Sequence, residues 1–127
     1  NATVPRISLI LRKAYGGAYI VMDSQSIGAD LCYAWPTNEI AVMGAEGAAN
    51  VIFRRRIAES DDPEGVRGQL VKEYKAELMH PYYAAERGLV DDVIDPAQTR
   101  HLLIRSLEML RSKHADLPSR KHGNQPA

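Results

Sequence analysis

Tyr15-Gly16-Gly17-Ala18 is the stretch whose residue types could most directly do chemistry. Two consecutive glycines permit positive φ and let another group approach the backbone without meeting a Cβ. If a helix starts there, the amides of Gly17 and Ala18 lie at its N-terminus, unpaired within the helix and at the positive end of its dipole. Such a pair can hold an oxyanion without any side chain titrating. The same glycines would equally allow a strand and a helix to pack tightly, and the local pattern leaves both readings open.

Side chains offer less. The histidines His80, His101, His114 and His122 share no spacing that makes a metal pair, so surface or capping roles are expected and no metal is assigned. Asp91 and Asp92 are adjacent, and neighbouring strand residues face opposite ways, which favours a turn over a carboxylate pair. The chain has no Gly-x-Ser-x-Gly elbow, no P-loop and no Gly-x-Gly-x-x-Gly fingerprint, and its serines lack a nearby base.

The elements that must position the glycines follow from apolar patterning. Ile7, Leu9, Ile10 and Leu11 read as a strand covered on both faces, with Arg12-Lys13 marking its exit from the core. Ala18 to Met22 is expected to be a helix entered directly from the glycine turn. A polar break at Asp23-Ser24-Gln25-Ser26 and a turn at Ile27 to Asp30 lead to a second strand, Leu31 to Trp35, stopped by Pro36. Ile40 to Met43 makes a third strand. From Gly44 a helix rich in small residues runs to Ile57, ending in Arg54-Arg55-Arg56, which point in different directions and suit a solvated helix end with one or two salt bridges. Asp61-Asp62-Pro63-Glu64 is a helix start, and Val66, Leu70, Tyr74 and Leu78 form its buried stripe. Pro81 ends that helix and begins another short one, Tyr82 to Arg87, which Gly88 stops. Asp95 caps a last helix reaching about Lys113, with Leu103, Leu107 and Leu110 on one face. There is no internal repeat and no low-complexity region. The expected architecture is an α/β layered fold, with a domain over residues 1–114 and an extended basic tail over 115–127 that would lie on a partner or another subunit.

The 127 residues include 16 basic and 16 acidic side chains, for a formal net charge of zero. That balance gives no argument for wholesale binding to nucleic acid or to an anionic membrane. No apolar run reaches the ~18 residues of a membrane helix. Cys32 is the single cysteine, so no internal disulfide can form, which suits a reducing cytoplasm. The chain begins without methionine and reaches a core strand almost at once, as expected of a piece of a longer protein.

Longer stretches carry a family resemblance. Arg12-Lys13-Ala14-Tyr15-Gly16-Gly17-Ala18-Tyr19, Gly28-Ala29-Asp30, Ala34-Trp35-Pro36 and Ile40-Ala41-Val42-Met43-Gly44-Ala45 resemble the C-terminal part of the β subunit of biotin-dependent acyl-CoA carboxylases of the acetyl-/propionyl-CoA type. The likeness continues through Arg54-Arg55, Pro81 to Ala85, Gly88-Leu89-Val90-Asp91, Val93-Ile94-Asp95-Pro96 and Lys121-His122-Gly123-Asn124.

The resemblance implies a crotonase-like (ClpP/crotonase) fold of ββα units and the carboxybiotin-side half of a carboxyltransferase. In such enzymes carboxyl passes from N-carboxybiotin to a short acyl-CoA, giving malonyl- or methylmalonyl-CoA. Carried over, the Gly17 and Ala18 amides would bind the ureido oxygen of biotin, with Tyr15, Gly16, Tyr19 and Ile20 lining the site. Ile20 departs from the Asp that propionyl-type relatives place there, near the floor of the site. Biotin would arrive on a partner, since the chain has neither an Ala-Met-Lys-Met segment nor an ATP loop. The implied partners are an N-terminal carboxyltransferase half that holds the acyl-CoA, an α subunit with biotin carboxylase and carrier domains, and further copies in a hexamer. The chain alone is expected to be inactive. Two other readings are a crotonase-like acyl-CoA hydratase or isomerase, which needs a Glu beside the oxyanion hole that is not apparent next to Gly17, and a non-catalytic oligomerising fragment.

Overall fold

The computed structural model of the chain describes residues 3–114 and 116. Most of the expected tail, residue 115 and residues 117–127, lies outside the described residues.

Two successive ββα units build the first half. The first is β1 (Ile7–Ile10), β2 (Lys13–Tyr15) and α1 (Gly16–Val21), and the second is β3 (Leu31–Ala34), β4 (Glu39–Ala41) and α2 (Ala45–Ile52). Corresponding strands pair in parallel: β1 lies beside β3 with Ile7 opposite Leu31, and β2 lies beside β4 with Lys13 opposite Glu39. The segments linking the strands are tied as well. Trp35 N–H donates to the Ile10 carbonyl at 3.0 Å, Glu39 N–H to Arg12 at 2.7 Å, and the buried Asn38 side-chain amide to Ile10 at 3.2 Å. A third strand, β5 (Asp92–Val93), extends the first sheet to the order β1-β3-β5.

Several expectations change here. β1 is not covered on both faces: of its residues only Ile10 is buried, because an open cleft runs along the strand from Ile7 to Ile10. Lys13-Ala14-Tyr15 is a strand rather than the approach to a turn, since β4 supplies its ladder partners. The glycines are the first two residues of α1 itself, which starts at Gly16 and not at Ala18. The third strand covers Glu39–Ala41, so Val42 and Met43 fall outside it. The helix expected to reach Ile57 breaks at Phe53, whose φ of −108° and ψ of 15° separate α2 from α3 (Arg54–Ala58). Arg54, Arg55 and Arg56 are exposed and form no salt bridge among the described residues.

The helical second half follows its caps. Asp62 accepts from Gly65 N–H at 3.0 Å ahead of Pro63 and opens α4 (Pro63–Leu78), which buries Leu70. His80 caps α5 (Pro81–Glu86) by accepting from Tyr83 N–H at 3.1 Å, a capping role as expected, and Gly88 stops the segment at φ +67°. Asp95 accepts from Ala97 N–H at 2.8 Å, and a 3₁₀ turn leads into α6 (Thr99–Met109). The buried residue of α6 is Ser106, not Leu107, which stays 52% exposed. Ser106 turns inward because its hydroxyl pairs with the buried Tyr33 hydroxyl at 2.7 Å, so the polar tip of a core tyrosine is satisfied.

Small side chains dominate the central cluster of Ile10, Ala14, Cys32, Ala34, Ile40, Ala84 and Val90, against which Tyr19 and Ala85 pack. A clasp closes the far edge. Asp30 accepts from Lys113 Nζ and from Arg6 N–H, both at 2.7 Å, while Arg6 reaches Asp23 at 2.6 Å.

Candidate functional site

α1 sits at the C-terminal end of β2, and its two glycines have different jobs. Gly16 has φ +53°, and a Cβ there would stand 2.8 Å from the Val42 carbonyl oxygen, so neither its conformation nor its surroundings admit a side chain. Gly17 has no such constraint. Its φ is not positive, and a Cβ built on it meets nothing within 4 Å. A glycine in a helix costs roughly 0.5–1 kcal/mol relative to alanine, and among the described residues no neighbour of Gly17 requires the side chain to be missing.

Gly17 and Ala18 are exposed, and neither N–H donates to any turn, loop or cap acceptor among the described residues. First-turn amides have no intrahelical acceptor either. With six residues, α1 is too short to add much of a dipole.

Two clefts flank α1. The first, about 560 Å³, runs along β1 and is lined by Ala14, Tyr15, Ala18, Tyr19 and Met22 among others. The second, about 400 Å³ and mostly apolar, is formed by Gly16, Tyr19, Ile20, Val42, Tyr83 and Leu89 with neighbouring residues. The structure therefore divides the sequence-derived site residues. Tyr15 and Ala18 face the first cleft, Gly16 and Ile20 the second, Tyr19 lines both, and Gly17 stands clear of either wall.

Both tyrosines are neutral donors at physiological pH. Burial, then the hydrogen bond and negative charge of Glu39, push Tyr15 up to about 12; burial and the neighbouring Cys32 push Tyr19 up to about 12. Burial likewise raises the Cys32 thiol, which is fully enclosed. Tyr19 Oη reaches the Leu89 carbonyl at 3.3 Å, which joins α1 to the loop after α5. Tyr15 Oη donates to Glu39, whose other oxygen lies 4.0 Å from Lys75 on α4.

Glu39 was not apparent as a partner in the sequence, because it meets Tyr15 only through the β2–β4 register. Asp91 is likewise engaged structurally. It accepts from Cys32 N–H at 2.7 Å and from the Gln25 side-chain amide at 3.0 Å. No cluster of three or more metal-ligating side chains occurs among the described residues, and none of their helices is long and apolar enough to cross a membrane.

α1 buries none of its residues, and Val21 and Met22 are 78% and 81% exposed. Ile20 and Val42, 44% and 76% exposed, border the second cleft; exposed apolar side chains of this kind can mark a contact with another polypeptide where they adjoin.

The family profile described as "Carboxyl transferase domain" matches residues 1–125. The chain is 56% identical over 126 residues to the methylmalonyl-CoA carboxyltransferase 12S subunit of Propionibacterium freudenreichii subsp. shermanii, covering 99% of this chain and 24% of that protein. It is 55% identical to the propionyl-CoA carboxylase carboxyltransferase subunit of Haloferax mediterranei, with the same coverage of 99% and 24%. A solved transcarboxylase 12S structure, described as a hexamer with methylmalonyl-CoA and methylmalonic acid bound, superposes with a TM-score of 0.89 at 56% identity over 99% of this chain and 24% of that one. The β subunit of Pseudomonas aeruginosa geranyl-CoA carboxylase shares the fold at 22% identity, with a TM-score of 0.75 over 98% of this chain and 24% of that one. The chain thus spans about a quarter of the length of the relatives it matches.

Proposed function

Because the chain belongs to the carboxyl transferase domain family, we propose that it supplies the carboxybiotin side of a biotin-dependent acyl-CoA carboxyltransferase of the acetyl-/propionyl-CoA type. Its fold is the crotonase-like, layered α/β fold of carboxyltransferase β subunits. The observation that carries the reading is the pair of free first-turn amides at Gly17 and Ala18, with open space where a Gly17 side chain would be.

Carboxybiotin, arriving on a carrier partner, supplies the carboxyl group. The Gly17 and Ala18 N–H groups would face its ureido oxygen and stabilise the negative charge that grows there as the carboxyl leaves. Removing one donor of this kind typically costs roughly 10²–10³ in rate. Gly16 holds the backbone that aims them, and Tyr15 and Tyr19, both neutral, border the space without exchanging protons. Ile20 lines the apolar second cleft, where it would bias the site toward the shorter acetyl chain. The acyl-CoA itself would be held by an N-terminal half, which the exposed apolar side chains of Ile20 and Val42 at the second cleft are suited to meet.

A hydratase or isomerase would need a free carboxylate beside the amides, and Glu39 instead accepts from Tyr15. In the cell, assembly into a hexamer with a carrier-bearing α subunit would complete the site, and a reducing cytoplasm would keep the enclosed Cys32 a thiol.

The test compares the full-length β subunit with this chain. Given a carboxybiotin donor and acetyl- or propionyl-CoA, the full-length subunit is expected to form malonyl- or methylmalonyl-CoA and the chain alone none. Product formed by the chain alone, or none by the full-length subunit with either substrate, contradicts the proposal.

A further inference from the structure

Tyr15 is the residue immediately before α1, in extended conformation with φ −117° and ψ 130°, and it caps the helix with no side-chain bond of its own. Its hydroxyl instead crosses to β4 and donates to Glu39. Its ring edge lies 3.7 Å from where a Cβ on Gly44 would stand, at the entry to α2. Lys13 is 6.0 Å from the ring centroid, and Lys75 approaches Glu39 from α4. One side chain therefore joins the start of α1 to the neighbouring strand and to the base of the next ββα unit.

We propose that Tyr15 and Glu39 form a positioning pair that fixes the first turn of α1, and so the direction of the Gly17 and Ala18 amides. This rests on the oxyanion reading of those amides and gives Tyr15 a role other than contact with substrate. The physical need is plain. α1 has six residues, buries none of them, and begins with two glycines, so its own hydrogen bonds and packing hold its N-terminal turn weakly. Tyr15 stays protonated, which keeps it a donor to the Glu39 carboxylate. Lys75, exposed and at 4.0 Å, is an accessory to the pair.

The experiment uses the full-length, assembled β subunit with a carboxybiotin donor. Tyr15→Phe keeps the ring and removes the bond, and Glu39→Leu removes its other end. Each is expected to lower kcat about tenfold, since a misplacement of about 1 Å can cost ~10²-fold and a partly loosened turn less. KM for acyl-CoA should not move, because neither Tyr15 nor Glu39 lines the second cleft, where Ile20 would meet the acyl chain. Glu39→Gln, which keeps an acceptor, should restore most of kcat, and Lys75→Met should change it less than twofold. Unchanged kcat in Tyr15→Phe overturns the proposal, as does a loss in Tyr15→Phe that Glu39→Leu does not share. Gly17→Ala separates the two levels of the argument. If it abolishes transfer while Tyr15→Phe does not affect it, the positioning pair fails alone. If Gly17→Ala retains full activity, the oxyanion reading fails and the pair's role falls with it.

Discussion

Gly16 and Gly17 are neighbours in the sequence, yet the structure predicts opposite results for the same substitution. At Gly17 an added methyl meets nothing within 4 Å and φ is not positive. Gly17→Ala should therefore fold normally and gain up to about 1 kcal/mol, through reduced freedom of the unfolded chain. At Gly16 the methyl would stand 2.8 Å from the Val42 carbonyl oxygen on a backbone with φ +53°. The left-handed conformation alone costs a non-glycine residue about 1–2 kcal/mol, before any clash is counted.

Function should run the other way at Gly17. The new methyl would occupy the space that the ureido oxygen needs, and a shift of about 1 Å can cost ~10²-fold, within the roughly 10²–10³ measured for losing one oxyanion donor. The assays are thermal melting and steady-state carboxyl transfer on the full-length, assembled subunit. Expected for Gly17→Ala is an unchanged or higher Tm with kcat reduced about a hundredfold, in line with such misplacement. Full turnover in Gly17→Ala would refute the account of the site. Equal stability of Gly16→Ala and Gly17→Ala would refute the division of labour between the glycines.

Ile20 is 44% exposed in the apolar cleft, so Ile20→Asp should lower kcat/KM for acetyl-CoA relative to propionyl-CoA, and an unchanged ratio would remove Ile20 from the acyl pocket. Asp30 is held below the usual carboxylate range by the Lys113 ammonium and the Arg6 amide. Because its folded value is the lower one, its contribution is present above the unfolded value of about 3.9 and is lost as pH falls through the folded value. Asp30→Asn should accordingly lower Tm at pH 7 and flatten the decline of Tm below pH 4, and an unaltered acid limb would contradict that role.

What could be read from the residues was what local physics decides. Asp62-Pro63 marks the start of α4 in any context, because its cap and its proline act within one turn. The run Leu31 to Ala34 is apolar enough to be a strand wherever it pairs. β2 was hidden because Lys13-Ala14-Tyr15 has no strand signature of its own and becomes a strand only beside Glu39–Ala41.

The ββα units are implied only by the family resemblance and not by residue patterning, for a similar reason: without β2, which has no strand signature of its own, the first unit reads as one strand and a helix. The inward turn of Ser106, past the leucines around it, depends on where the Tyr33 hydroxyl ends up in three dimensions. At the site, the glycines could be found but their unequal roles could not, since only packing reveals that a side chain on Gly16 would meet the Val42 carbonyl and one on Gly17 would meet nothing within 4 Å. Glu39 escaped notice because a partner 24 positions away is set by strand register rather than by spacing.

The most direct test is a crystal structure of the full-length, assembled β subunit with biotin bound. The account predicts the ureido oxygen about 2.7–3.1 Å from the backbone nitrogens of both Gly17 and Ala18, the range in which such donors act on an oxyanion. A biotin ring seated elsewhere, or a water-filled gap between its oxygen and these two amides, would contradict it.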